Sequence, residues 1–263
     1  MSARPSTVLV VGATGSIGRH VVDEALREGY AVRALVRDPA GARRLPAEAQ
    51  WVVGDLTRPE TLAAAVDGVD AIVFTHGSDG QGKAGAERID YGGVRNVLTA
   101  LAGRTARIAL MTAIGATDRD GAYNRSTEAH DWKRRGERLV RASGLPYTIV
   151  RPGWFDRNDH DQLRLVALQG DIRHSGTPRD GVVARRQIAE VLVRSLSSAA
   201  ADHKTFELVA ERGPATEDFD ALFAPVAADA PRTLDGARDT PNMPLDREPE
   251  RVREDLRALT GRS

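Results

Sequence analysis

The feature that most constrains this chain lies near its start. Val8-Leu9-Val10-Val11 runs straight into Gly12-Ala13-Thr14-Gly15-Ser16-Ile17-Gly18, and an amphipathic pattern follows at once. Apolar strand, Gly-x-x-Gly-x-x-Gly turn and helix, in that order, have a mechanical logic. Gly12 permits a tight turn, Gly15 lets a diphosphate approach the backbone, and Gly18 lets the helix pack close to the strand. N–H groups at the helix start then face the phosphates. A glycine triplet alone is weak evidence. Set between the first strand and the first helix, it predicts a dinucleotide site. Thr14, Ser16 and Ile17 lie within the same turn and join the three glycines as cofactor-binding candidates.

The rhythm that begins here continues. Apolar runs at Thr7–Val11, Ala31–Val36, Gln50–Val53, Ala71–Thr75, Arg107–Met111 and Tyr147–Val150 predict strands. Most are unbroken rather than alternating, as strands covered on both faces should be. Between them Ile17–Glu28, Glu60–Val66, Ala86–Ala102 and Thr127–Ser143 read as helices, with Thr57 as a cap and Gly29 and Gly144 at C-terminal cap positions. Strand alternating with helix implies an α/β fold with a doubly wound parallel sheet, the Rossmann architecture. After residue 153 the rhythm changes. Asp156–Asp161 reads as a polar loop over the cleft, Gln162–Leu168 as a short helix, Gln187–Ser195 as a helix and Thr205–Val209 as a strand. Pro225–Pro249 is broken by prolines and reads as extended coil, and Arg251–Leu259 closes as a helix. The expected organisation is a dinucleotide-binding core at 1–153 and a small C-terminal substrate-side region at 154–263 that completes the same domain.

Composition narrows the function. The 263 residues carry 37 Lys+Arg and 37 Asp+Glu, so no basic excess points to nucleic acid. There is no Cys, which excludes disulfide scaffolds, thiolate metal sites and cysteine nucleophiles. No Gly-x-Ser-x-Gly elbow or Walker loop appears, and no metal-ligand spacing. The early apolar run is too short for a signal segment or a membrane span, so the expectation is a cytoplasmic protein with a small-molecule substrate. The sequence is compatible with a homo-oligomer.

Strand ends supply the remaining site candidates, because ligands of open α/β sheets bind at the carboxyl ends of strands. The second strand ends at Arg37-Asp38-Pro39, where an NAD-specific fold would place a ribose-binding acid. A guanidinium there suits a 2′-phosphate, so NADP(H) is the expected cofactor, with Arg33 on the same side of the strand. Asp55 and Leu56 end the third strand on the adenine side. Thr75, His76 and Gly77 end the fourth, beside the diphosphate and nicotinamide ribose; His76 also reads as an ordinary loop histidine.

Together Gly12–Gly18, Val32–Pro39, Gly54-Asp55-Leu56, Asp90-Tyr91-Gly92-Gly93-Val94-Arg95-Asn96 and Tyr147–Gly153 resemble the atypical short-chain dehydrogenase/reductases, nearest their NmrA-like NAD(P)-binding branch. The resemblance covers roughly residues 7–210 and adds Pro152 to the cofactor-side positions. It implies a Rossmann fold, a nicotinamide cofactor and a cleft roofed by C-terminal segments. Catalytic members carry Tyr-x-x-x-Lys after the fifth strand. Here the segment is Ala129-His130-Asp131-Trp132-Lys133, so the Lys is kept and the Tyr is not. Isoflavone-reductase-like relatives manage with the Lys alone. The resemblance therefore assigns Lys133 to the nicotinamide ribose and to proton transfer, and Thr112, after the fifth strand, to orienting a substrate oxygen. His130 shares a helix face with Lys133, while Arg134 and Arg135 make this a basic helix, on which Lys133 also reads as a solvated charge. The implied function is an NADP(H)-dependent oxidoreductase on a small metabolite, by carbonyl reduction or as an epimerase-like relative. The alternative is a non-catalytic NADP(H) sensor.

Overall fold

The computed structural model describes residues 5–261. Among the described residues there are ten strands: β1 (Thr7–Val11), β2 (Ala31–Val36), β3 (Gln50–Val53), β4 (Ala71–Phe74), β5 (Arg107–Met111), β6 (Tyr147–Pro152), β7 (Trp154–Phe155), β8 (Arg164–Leu168), β9 (Val182–Val183) and β10 (Lys204–Glu211). Eight of them form one sheet in the order β3-β2-β1-β4-β5-β6-β10-β8. All pairs are parallel except β10 with β8. β7 and β9 pair separately as a short parallel ribbon.

Strand alternation explains why the sheet is buried on both sides. Val8 and Val10 of β1 join one apolar cluster with Val21, Val22, Ile188 and Leu192. Leu9 and Val11 join the opposite cluster with Val94, Val97, Leu139 and Val140. The helices Gly18–Arg27 and Arg185–Ser195 thus cover one face. Gly92–Leu101, Ala129–Ala142 and Glu250–Thr260 cover the other. The order reverses between β1 and β4, and the loops that follow these two strands flank the reversal, where doubly wound sheets bind their ligands.

Three sequence expectations change. Gln162–Leu168 is not a helix: Arg164–Leu168 is the antiparallel edge strand β8, with Leu165 facing the core and Val166 opposite Val209. A ladder partner forty residues away outweighs local propensity. Thr57 caps no helix, because its hydroxyl donates to Asp55 Oδ1 at 2.8 Å. The expected Ala86–Ala102 helix contains a π-helical turn at Ala86–Tyr91 before the regular Gly92–Leu101 stretch.

Candidate functional site

The glycine turn has the geometry its spacing requires. Gly12 has φ +87°, and a Cβ there would lie 2.8 Å from the His76 backbone nitrogen. A Cβ on Gly15 would crowd the Gly12 carbonyl oxygen at 3.1 Å, and one on Gly18 would collide with it. Ile17 and Gly18 are buried beneath the turn, whereas Thr14, Gly15 and Ser16 are exposed along its crest. No side chain caps the Gly18–Arg27 helix, so its first turn is left for a ligand. A backbone kept bare where any side chain would intrude, at an uncapped helix start, fits a diphosphate.

The ends of β1 and β4 are tied together beside it. The Thr75 N–H and hydroxyl both donate to the Val11 carbonyl, at 2.9 and 3.1 Å. His76 Nε2 donates to the Ile89 carbonyl at 3.0 Å, which leaves buried Nδ1 as an acceptor without a partner among the described residues. Burial pushes the imidazole down to about 4, against a partial opposing pull from Asp90, so the ring is neutral near pH 7. Gly77 follows, exposed.

Asp90 comes to this point from the π turn. Its carboxylate accepts from Lys133 Nζ at 2.6 Å, from the Ser78 hydroxyl at 2.5 Å and from the Ser78 N–H at 3.2 Å. A Cβ on Gly77 would lie 3.8 Å from Asp90 Oδ1 and 3.9 Å from Lys133 Nζ, so the ion pair sits directly under the end of β4. No local signal gives Asp90 a role, because its distance from Lys133 along the chain hides the pair.

On the adenine side, Asp55 Oδ1 accepts from the Thr57 N–H and hydroxyl, both at 2.8 Å. The Thr57 backbone bond is the main cause that holds this carboxyl below its usual range, with help from Arg37. The Asn96 side chain fixes the Leu56 carbonyl at 2.6 Å. Arg37 is exposed at the end of β2, and Asp38 caps the short Pro39–Ala42 helix. Gly41 of that helix packs toward the Thr14 methyl. Arg33 does not join Arg37. Its guanidinium donates to the carbonyls of Ala65 and Asp67, where it caps the Ala63–Val66 helix.

Lys133 and Thr112 line one small cavity of about 10 Å³ with His76 and Asp90. The Thr112 hydroxyl donates to Glu137 Oε1 at 2.7 Å. This changes the expected role: a hydroxyl whose hydrogen is committed to Glu137 offers a substrate oxygen no donor. Ala129, at the position where the resemblance expects Tyr, is buried. His130 packs at a tilt against exposed Tyr123 with ring centroids 5.1 Å apart, lies under Gly115, and is pushed down by burial. Pro152 is buried at the end of β6, where its carbonyl accepts from the Ile114 N–H at 3.1 Å.

The basic residues that follow Lys133 on this helix are not solvated. Arg134, Arg135, Arg138 and Arg141 are all buried beneath the coil that runs from Pro225 to Pro249. Asp235 takes Arg134 and Arg138, Asp229 takes Arg141, and Glu248 takes Arg135. In the sheet behind them Arg151 makes paired bonds to Glu137 and to Asp239. Burial alone would raise Glu137, but Arg151 and Arg141 hold it at about 2. The same coil reaches the loop after β5, since Asn242 Nδ2 donates to the Thr117 carbonyl at 3.0 Å.

Arg185 crosses from the C-terminal part to the glycine turn. Its Nε donates to the Ser16 hydroxyl at 3.1 Å, while its other end pairs with Asp156 above the Phe155 ring. The polar 156–161 loop is thereby anchored over the turn.

Comparison with known proteins agrees with this geometry. A family model described as NAD(P)H-binding matches residues 12–199. Sanguinarine reductase from Eschscholzia californica is 28% identical over 269 residues, which span 86% of this chain and 97% of that protein. NAD(P)H azoreductase from Xenophilus azovorans is 30% identical over 233 residues, 86% of this chain and 75% of the relative. A solved structure of a putative NAD-dependent epimerase/dehydratase from Bacillus halodurans superposes with a TM-score of 0.68 at 25% identity, and covers 80% of this chain and 96% of that one. Among the described residues no helix is long and apolar enough to cross a membrane. With a bare glycine turn at the sheet reversal and a family match across most of its length, the chain belongs to the NAD(P)H-binding family.

Proposed function

We propose that this chain is an NADP(H)-dependent reductase of the atypical short-chain dehydrogenase/reductase type, in its NmrA-like branch, acting on a small electrophilic metabolite. The observation that carries the reading is Lys133, held by Asp90 at the end of β4, across the sheet reversal from the glycine turn. Two relatives named as reductases support it. When bound, NADPH supplies the hydride.

The chain's own residues divide the remaining work. The Gly12–Gly18 backbone takes the diphosphate, with Ser16 and Arg185 at its flank. Arg37 takes the 2′-phosphate, and the second oxygen of Asp55 and the Leu56 backbone face the adenine. Thr75, His76 and Pro152 wall the nicotinamide end, and Lys133 holds the ribose hydroxyls. Lys133 is also the proton donor at the substrate oxygen. The other groups at the cavity cannot serve: the Thr112 hydrogen goes to Glu137, and the His76 N–H goes to Ile89. The segments after residue 153 form the substrate side, with Asp156 and Arg185 as its latch.

A second reading, NADP(H) binding without turnover, is favoured by buried Ala129 where the resemblance expects the tyrosine. One experiment tests both. NADPH and NADH are titrated against the wild type and Arg37→Ala, and NADPH oxidation is followed with ketones, enones and imines. The expected result is tighter NADPH binding, a loss of about 1–3 kcal/mol of that preference in Arg37→Ala, and turnover with at least one electrophile. Equal affinity for the two cofactors removes the 2′-phosphate assignment. Tight NADPH binding with no turnover on any substrate moves the reading to the sensor.

A further inference from the structure

The π turn that carries Asp90 to Lys133 has a second face. While Asp90 lines the small cavity at Lys133, its neighbours Glu87, Arg88 and Tyr91 line a separate hollow of about 190 Å³, shared with Arg95, Asn96 and Arg251. Asn96 is the partition. Its amide nitrogen fixes the Leu56 carbonyl on the dinucleotide side, and its amide oxygen accepts from Arg95 Nε and Nη2 at 3.2 and 3.0 Å. The hollow has room for about six water volumes, which suits an ion of two phosphoryl groups.

Its charge differs from that of the buried arginine cluster. The arginines of the Ala129–Ala142 helix and Arg151 each meet a carboxylate at 3.1 Å or closer. Here three guanidiniums share a hollow lined by one carboxylate, Glu87, which is paired with Arg251. Among the described residues Arg88 bonds only to the neutral Gln81 amide, at 3.1 Å. Arg95 spends two donors on neutral Asn96, and its nearest carboxylate, Asp255, lies 3.7 Å away and already accepts from the Tyr91 hydroxyl at 2.7 Å. Two guanidiniums without a close carboxylate, turned into one hollow, match the fork geometry by which arginine grips phosphoryl oxygens.

We propose that this hollow is a second binding site, distinct from the dinucleotide cleft, for a small polyvalent oxyanion of the phosphate class, gripped by Arg88 and Arg95 with Arg251 at its rim. The phosphoryl group comes either from a free ion or from a phosphorylated metabolite.

The test is calorimetric titration of inorganic pyrophosphate, and in a second arm of a sugar phosphate, into wild type and the Arg88→Ala/Arg95→Ala double variant. Ionic strength is held constant with chloride, and each titration is run with and without saturating NADPH. The expected result is saturable binding to the NADPH-loaded wild type that weakens about tenfold or more in the double variant, the loss for charge-assisted bonds. Saturation by both probes indicates a general phosphoryl site, and by the sugar phosphate alone a metabolite site. Because NADPH fills the glycine turn, the difference between wild type and variant reports this hollow alone. It stays readable without NADPH, so a failure of NADPH to bind is not confused with a failure here. Equal affinity of the two proteins for both probes, or no saturable binding to wild type, overturns the proposal.

Discussion

A single carboxylate organises the candidate catalytic end. Asp90 accepts from Lys133 and twice from Ser78, so it fixes the ammonium of Lys133 against the loop that follows β4. Lys133 alone, on the flank of a helix, would be free to sample many rotamers; tied to Asp90, it has a defined position. The two residues should therefore fail differently. Lys133→Met keeps the length of the side chain and removes its protons. It is expected to lower turnover about 10²-fold or more, the range for a positioned proton donor, while NADPH affinity falls much less. Asp90→Asn leaves the ammonium present but loosely held. It should cost about 10-fold in kcat/KM, comparable to the loss of one charge-assisted bond. Steady-state kinetics with the best electrophile from the substrate panel would check both. Near-normal turnover in Lys133→Met would take the lysine out of the chemistry.

At the scale of elements, the Ala129–Ala142 helix is held from outside by a segment with almost no regular structure. Between Pro225 and Pro249 the only helical turn is Leu245–Arg247, yet this coil supplies Asp229, Asp235, Asp239 and Glu248 to buried arginines. Asp239→Ala removes a nearly fully buried partner that takes paired bonds from Arg151 at 2.7 and 2.8 Å. Arg151 keeps Glu137, so the variant loses the charge-assisted bonds to Asp239 rather than all compensation; that costs about 1.5–3 kcal/mol, and the urea midpoint should drop accordingly. A change within about 0.5 kcal/mol, typical of surface substitutions, would mean that the coil is not a clamp. This element also marks the limit of what the sequence could tell. The glycine turn and β1 to β6 were legible because their signals are local: unbroken apolar runs and fixed glycine spacing; one motif likewise put Lys133 on its helix. Arg134 and Arg135 read only as a basic helix because their partners lie about a hundred residues downstream, in a stretch whose prolines say only that it is extended. β8 was missed for the same reason, and so was the Asp90–Lys133 pair. The π turn has no signature in local propensity.

Across the whole molecule, equal numbers of acidic and basic residues hide an uneven interior. Around the Ala129–Ala142 helix and β6, the guanidiniums of Arg134, Arg135, Arg138, Arg141 and Arg151 face the carboxylates of Glu137, Asp229, Asp235, Asp239 and Glu248. That set is balanced one for one. Glu207 is a sixth carboxylate, 3% exposed, with only a share of Arg151 at 3.4 Å and the Asp171 N–H at 3.1 Å. Burial pushes it up to about 8, and neighbouring Asp171 and Asp239 add to the rise. The consequence for stability has a definite sign. The folded chain holds the Glu207 proton up to about pH 8, whereas the unfolded chain releases it near the ordinary value of 4.5. Between those limits the folded state binds more protons, so stability is greatest at the acidic end of the window and declines as pH rises to 8, by about 3–5 kcal/mol in total. Glu137, held at about 2, works in the other direction: its contribution is complete above 4.5 and is lost only as pH falls toward 2. Glu207→Gln keeps the volume and an acceptor for the Asp171 N–H, and it cannot ionise. Urea midpoints at pH 5, 7 and 9 should show the variant gaining on the wild type at each step up to pH 8 and holding that gain at pH 9. A difference that does not change with pH would mean that Glu207 is ionised in the folded protein throughout, and that Arg151 compensates three carboxylates rather than two.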